Sequence, residues 1–171
     1  KERAVIAQSS PEEWRQQWQA LVPPECRNVP VTVGEKTEIA FVQENHFAMM
    51  LQDGLLMERS FFDVAKRDFE NRQAVNFAVR LDGKLIGEAV LYRFDCRGGA
   101  ELGCRIDKAY AGNGYGTEAF KAAAEWGLYQ VNLSRVVAKC YRENEASYKM
   151  LSSCMRRSGE DDTFFYFEKL V

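Results

Sequence analysis

Three glycines at every second position, Gly112, Gly114 and Gly116, separate a strand pattern from a helix pattern. The stretch from Glu101 to Glu118 reads E-L-G-C-R-I-D-K-A-Y-A-G-N-G-Y-G-T-E. Leu102, Cys104 and Ile106 alternate as one face of a short strand. A helical pattern with Phe120, Ala123 and Gly127 on one face begins straight after the glycines, and its small residues allow close approach to a sheet. Such a turn leaves the first amides of the helix without partners inside it, and the helix dipole adds partial positive charge there. The natural guest is an anion, most often a phosphate.

Two phosphate loops fail on residues. A P-loop requires G-x-x-x-x-G-K-[ST], and no Gly-Lys-Ser/Thr follows here. The dinucleotide fingerprint requires G-x-G-x-x-G and an acid roughly 20 residues on. This chain has G-x-G-x-G, and the later window is Asn132, Leu133, Ser134 and Arg135, without an acid.

A third loop fits. Ala111-Gly112-Asn113-Gly114-Tyr115-Gly116 resembles the pyrophosphate-binding loop of the GNAT superfamily of N-acyltransferases, Gln/Arg-x-x-Gly-x-Gly/Ala. Thr117-Glu118-Ala119 continues it as in the subgroup that acetylates ribosomal-protein N termini. Ala111 departs from the family's usual Gln or Arg. The resemblance implies that acetyl-coenzyme A binds with its diphosphate on the amides of Gly112, Asn113, Gly114, Tyr115, Gly116 and Thr117. The residues alone also allow a plain glycine-rich turn.

A second motif follows one strand later, Y-R-E-N-E-A-S-Y-K-M-L from Tyr141 to Leu151. It resembles the family's Asn-x-x-Ser, which falls on Asn144 and Ser147. There the Asn bonds the pantetheine arm, and a hydroxyl near the thioester sulfur assists the departing thiolate. Read without the family, Asn144 is a good helix N-cap and Ser147 a first-turn residue. Many members carry a tyrosine acid seven residues after the Asn, where this chain has Leu151; Tyr141 and Tyr148 are nearby but out of position.

The rest of the pattern agrees with that family's strand order from Asn76 to Leu170. Strands are predicted over 75–81 and 85–94, joined by Asp82-Gly83, a tight-hairpin signal. A third strand over 100–107 follows the turn at Arg97-Gly98-Gly99, and another spans 134–140. The helix between those two makes them parallel neighbours. A helix over 144–154 and a hairpin with its polar turn at 158–162 finish the chain. The fold expected is α/β (α+β): a mixed, mostly antiparallel sheet flanked by helices, with a parallel βαβ pair. The resemblance implies that this pair splays to admit acyl-coenzyme A, with Ile106 offering backbone hydrogen bonds to the pantetheine.

Upstream, Ser9-Ser10-Pro11-Glu12-Glu13 opens a helix carrying Trp14, Trp18 and Leu21, and Pro23-Pro24 stops it. Residues 37–43 read as a strand and 60–72 as a helix; 46–59 is methionine-rich without a clean period, a core filler first and a pocket lining or dimer contact second. Two parts are expected: an unassigned N-terminal segment over 1–59 and an acyltransferase core over 60–171. The chain opens at Lys1, which leaves room for sequence before it.

Composition narrows the partners. With 171 residues and 46% hydrophobic content the chain can bury a core. A net charge of −2 gives no basic excess for nucleic acid or a membrane surface. No 18-residue apolar run and no signal-peptide pattern is present. Five cysteines, Cys26, Cys96, Cys104, Cys140 and Cys154, form an odd set without C-x-x-C, as free thiols of a reducing cytoplasm would. One histidine, His46, argues against a multi-histidine metal site.

Acetyl transfer to an amine requires that amine neutral. A lysine has a reference pKa of about 10.4 and an α-amine about 7.7–8.0, so a proton must leave. Family members with an enzymic base often place a glutamate on the strand before the loop, where Glu101 stands. Alternation puts Glu101 with Gly103 and Arg105, away from the Leu102 face. Glu88, one strand earlier, is the rival, and Glu101 pairing Arg105 or facing solvent is the plain alternative. Three readings follow: an acetyl-coenzyme A-dependent N-acetyltransferase acting on a small-molecule amine or a peptide N terminus; a non-catalytic acyl-coenzyme A-binding module; or an interaction domain whose glycines only turn the chain. A homodimer stays open in each.

Overall fold

The computed structural model describes residues 32–33, 37–41, 67–68, 71, 73–95, 97–130 and 132–171. The helix expected after Ser10, the methionine-rich stretch with His46, and Cys26 and Cys96 lie outside the described residues. Of the helix expected over 60–72, Arg67, Asp68 and Asn71 are described; the first two are helical and Asn71 is in a turn. The strands are β1 (Thr32–Val33), β2 (Glu38–Phe41), β3 (Ala74–Leu81), β4 (Lys84–Tyr92), β5 (Gly99–Ile106), β6 (Arg135–Tyr141), β7 (Arg156–Glu160) and β8 (Phe164–Leu170). The longer helices are α1 (Tyr115–Tyr129) and α2 (Glu145–Cys154).

All these strands join one sheet in the order β1-β2-β3-β4-β5-β6-β8-β7. Neighbours run antiparallel except β5 and β6, which run parallel. This is the mixed, mostly antiparallel sheet that the strand pattern anticipates. β3 and β4 turn through Asp82 at φ 50° and Gly83 at φ 79°. Two positive φ values in succession make the type I′ turn that Asp-Gly favours, because its twist matches that of the strands.

The helix α1 lies across β4 and β5, α2 lies across β6 and β8, and the two helices touch. The apolar face of α1 is Ala119, Phe120, Ala123, Ala124, Trp126, Gly127 and Leu128, all buried. Beneath it, Val75, Phe77, Leu91, Leu133 and Val136 are fully buried, and Trp126 meets Phe77 edge-on at 5.1 Å between ring centroids. Burial of each such side chain stabilises the fold by about 1.5–3 kcal/mol.

The last hairpin departs from the sequence reading. β7 runs on through Ser158 and Gly159 to Glu160, so the expected turn over 158–162 shrinks to residues 161–163. Asp161 closes it, its Oδ1 accepting from the amides of Thr163 at 2.8 Å and Phe164 at 2.7 Å.

Candidate functional site

β5 and β6 pair over three positions only, Gly99 with Arg135, Ala100 with Val136 and Glu101 with Val137. Beyond them β5 stays with β4 as far as Ile106, and β6 stays with β8 as far as Tyr141. The parallel pair therefore opens into a V. Its closed end is pinned by polar bonds. Arg135 Nη2 meets Asp95 Oδ2 at 2.8 Å, and Asp95 Oδ1 accepts from the amides of Arg97 at 2.8 Å and Gly99 at 2.9 Å. Ser134 donates from its amide to Gly98 O at 2.8 Å and from its hydroxyl to Arg97 O at 2.9 Å. Burial by itself would raise the Asp95 carboxyl; the Arg135 hydrogen bond, the two amides and the Arg135 charge together hold it below its ordinary value.

The open end presents backbone. The Asp107 amide donates to Ile86 O at 2.8 Å, which points its N–H toward β4. Alternate residues of an antiparallel strand point the same way. Arg105 and Gly103 therefore also face β4, while the N–H and C=O of Cys104 and Ile106 face the gap. A guest laid there can bond β5 as an added strand does. The Cys104 side chain turns to the α1 face, its Sγ 3.8 Å from Gly116 O. Its low-dielectric surroundings push the thiol up to about 12, and the Glu88 charge adds to this, so Cys104 stays a thiol at neutral pH.

At the mouth of the V the chain makes a 3₁₀ turn, Lys108–Tyr110, capped by Asp107 Oδ1 accepting from Ala109 N at 3.0 Å. Gly112 and Gly114 follow at φ 80° and 81°. Only glycine takes that left-handed conformation at little cost. Gly116 stands close to its neighbours: a Cβ there would lie 3.3 Å from Ile106 Cγ1 and 3.8 Å from Met150 Sδ. The N-terminus of α1 has no side-chain cap, which leaves its first amides for a ligand. Asn113 folds inward, its Nδ2 donating to Tyr110 O at 3.1 Å and Ala111 O at 3.2 Å, so its side chain braces the loop. The one acid of this first turn, Glu118, reaches away to the sheet. Its Oε2 accepts from Thr37 N at 3.0 Å and Thr37 Oγ1 at 2.7 Å.

On the β6 side, Asn144 caps α2, its Oδ1 accepting from Ser147 N at 3.1 Å. Leu151 is buried in the core at 2% exposure. Tyr148 packs edge-on against Phe165 and Phe167, and Tyr141 stacks on Phe164.

The sheet face opposite α1 carries the carboxylates. Glu101 Oε1 accepts from the Tyr92 hydroxyl at 2.8 Å, and Glu101 Oε2 from Arg93 at 3.0 Å. Burial first, then the hydrogen bond to Glu101, pushes the Tyr92 phenol up to about 12. Arg105 pairs with Glu88, Nε to Oε1, at 2.7 Å. Burial raises the Glu88 carboxyl against the opposing charge and hydrogen bond of Arg105.

The acetyltransferase (GNAT) domain model matches residues 37–154. The chain belongs to the GNAT acetyltransferase family. An uncharacterised N-acetyltransferase of Bacillus subtilis (strain 168), YnaD, is 33% identical over 109 residues, 63% of this chain and 61% of that protein. The chain thus spans about three fifths of the length of the curated relative it matches. RimL, a ribosomal-protein α-N-acetyltransferase, shares the fold at TM-score 0.74 and 15% identity, covering 82% of this chain and 97% of its own. It has also been determined in complex with coenzyme A. RimJ of Mycobacterium smegmatis, in complex with coenzyme A disulfide, gives TM-score 0.68 at 17% identity over 79% of this chain and 82% of its own.

Within this GNAT fold the sequence-predicted residues fall into two groups. Ile106, the loop from Gly112 to Thr117, Asn144 and Ser147 lie on elements that surround the V. Glu101 lies at its closed end, in register with Val137. The Glu88–Arg105 pair and the Thr37–Glu118 bond were not anticipated. The first is fixed by the β4–β5 register and the second bridges 81 positions; neither has a local signature. Among the described residues no group of His, Cys, Asp and Glu forms a metal site, and no helix is long and apolar enough to cross a membrane.

Proposed function

We propose that this chain transfers the acetyl group of acetyl-coenzyme A to a primary amine, with a peptide or protein N terminus as acceptor. The observation that carries the reading is the V itself. Three paired positions give way to a gap into which β5 aims unpaired backbone groups, beside an uncapped, glycine-opened helix start. Such a gap suits an amide-bearing arm, and such a helix start suits a diphosphate. When bound, acetyl-coenzyme A supplies the acyl thioester. The chain's part is to hold that arm along Cys104 and Ile106, to hold the diphosphate on the amides of Gly112 to Thr117, and to place a proton donor, Ser147, near the leaving sulfur. Asn144 keeps its Nδ2 for the pantetheine while its Oδ1 caps α2. The peptide acceptor is supported by likeness to ribosomal-protein acetyltransferases and by the Thr117-Glu118-Ala119 continuation.

The test pairs binding with turnover. Acetyl-coenzyme A at 100 times its dissociation constant should raise stability by about 2.7 kcal/mol. Coenzyme A thiol release should then follow addition of peptides with a free α-amine and not of the same peptides with that amine acetylated. Turnover with small amines alone would move the acceptor class.

A second reading, a module that binds acyl-coenzyme A without turnover, is favoured by Leu151, whose buried side chain supplies no acid where many family members have tyrosine. Binding without thiol release across the amine panel would establish it.

A further inference from the structure

We infer that Lys139 selects the acceptor, binding an acidic side chain in the first few residues of the peptide whose α-amine is acetylated. This rests on the acetyltransferase reading above and narrows its acceptor from any peptide N terminus to an acidic one. Lys139 lies on β6 in register with Tyr166 of β8, and Tyr141, two residues on, is in register with Phe164. Ala138 and Cys140, which alternate with them, are buried in the core on the helix side. Lys139 and Tyr141 therefore stand on the sheet face opposite the helices, and both are exposed.

Together these side chains form a shelf along the β6 arm of the V. Tyr141 stacks on Phe164 with 4.8 Å between ring centroids, and Phe164 meets Tyr166 at 6.2 Å. Lys139 Nζ sits 4.6 Å from the centre of the Phe164 ring. The Tyr166 hydroxyl donates to Asp161 Oδ2, so its polar tip is already engaged. Ring surface beside a cation suits a peptide that carries a carboxylate on a short apolar stem.

Position joins the shelf to the acceptor. The helix side of the V is filled by α1, with Cys104 Sγ 3.8 Å from Gly116 O. An acceptor amine therefore reaches a thioester in the gap from the other face, where Lys139 stands. The pairing of β5 with β6, continued at the same step, would set Gly103 opposite Lys139. Gly103 brings no side chain to close that face, so Lys139 borders open space. An extended residue spans at most about 3.3–3.6 Å, which brings the second and third residues of the peptide past Lys139 while its α-amine lies in the gap.

Charge makes the choice. The carboxylates of this face already have donors: Glu88 has Arg105, Glu101 has Tyr92 and Arg93, Glu168 has Arg156, and Asp161 has Tyr166. Lys139 has its ring contact and no carboxylate partner among the described residues. An ammonium in that position attracts an incoming carboxylate and repels an incoming guanidinium.

The experiment measures coenzyme A thiol release with two short peptides, each with a free α-amine. They are alike except for glutamate or arginine at their second and third positions, so neither carries another amine. The unaltered chain should favour the acidic peptide by about tenfold in kcat/KM, through KM rather than kcat, and the preference should shrink as salt is added. Lys139→Met keeps the stem over Phe164 without the charge and should bring the two peptides level. Lys139→Glu should reverse their order, and Lys139→Arg should keep it. All three variants should show the unaltered chain's thermal stabilisation by acetyl-coenzyme A. Equal rates in the unaltered chain, or a preference that survives in both Lys139→Met and Lys139→Glu, overturns the assignment while the acetyltransferase reading stands. An unaltered chain that turns over neither peptide, nor any other with a free α-amine, overturns the peptide-acceptor reading and this one with it.

Discussion

A side chain at position 114 would have to hold φ 81°, and on the proposed reading it would stand where the diphosphate approaches the backbone. Left-handed backbone costs an L-residue roughly 1–2 kcal/mol, more for a β-branched one. Gly114→Val should therefore fold with a lower melting temperature and give no acetyl-coenzyme A stabilisation in a thermal-shift assay. A normal shift in the folded variant would remove the loop as the site. Asn144 allows a sharper separation, because its Oδ1 caps α2 while its Nδ2 is the end proposed for the pantetheine. Asn144→Ala loses the cap and should cost about 1 kcal/mol. Asn144→Asp keeps an oxygen for Ser147 N but has no N–H₂ to donate; its stability should hold while calorimetric affinity for acetyl-coenzyme A falls. Affinity unchanged in Asn144→Asp would leave Asn144 a cap alone. The types of these residues were legible in the sequence because glycine spacing and Asn-x-x-Ser are local patterns. The partners of Glu101 and Arg105 were not. Arg105 faces Glu88 through a cross-strand register, and a shift between Val79 and Arg80 further alters which residues face each other across β3 and β4.

Elements show why the V holds its shape. The closed end carries the Asp95–Arg135 pair and the Ser134 bonds, while the open end is held apart by β4 on one side and β8 on the other. Because the folded Asp95 carboxyl lies below its ordinary value of 3.8, its contribution is present above that value and is lost as pH falls through the depressed one. Asp95→Asn should thus be less stable than the parent at neutral pH in urea melts, with the gap closing in acid below about pH 4. A gap that stays constant into acid would mean that the bonds at the closed end do not depend on the charge. The βαβ unit was legible because its helix and both strands carry clear apolar periods. The end of the last hairpin was not. Every residue of β7, R-R-S-G-E, is exposed, so the strand buries no face and leaves no alternation to read. Likewise the tie from Glu118 to Thr37, which joins α1 to the start of β2, is a long-range bond without a local signal.

At the scale of the whole sheet, the pairing of β5 with β6 stops after three positions, and that opening can be observed directly. Amide exchange reports which N–H groups are paired. In the free chain, Gly103, Arg105 and Asp107 should be protected, since they point to β4; Asp107 donates to Ile86 O at 2.8 Å. Cys104 and Ile106 face the gap and should exchange faster, giving an alternation along one strand that a uniformly paired sheet would not give. Acetyl-coenzyme A laid along β5 would slow exchange at Cys104 and Ile106 and at the amides of Gly114 to Thr117, leaving Gly103 and Arg105 as they were. Protection confined to the glycine loop would mean that the diphosphate docks while the arm lies elsewhere. Protection spread evenly over β4 and β5 would mean general tightening of the fold and not an added strand. Residue-resolved exchange with and without acetyl-coenzyme A distinguishes the three, and only the alternating outcome agrees with a thioester held beside Ile106.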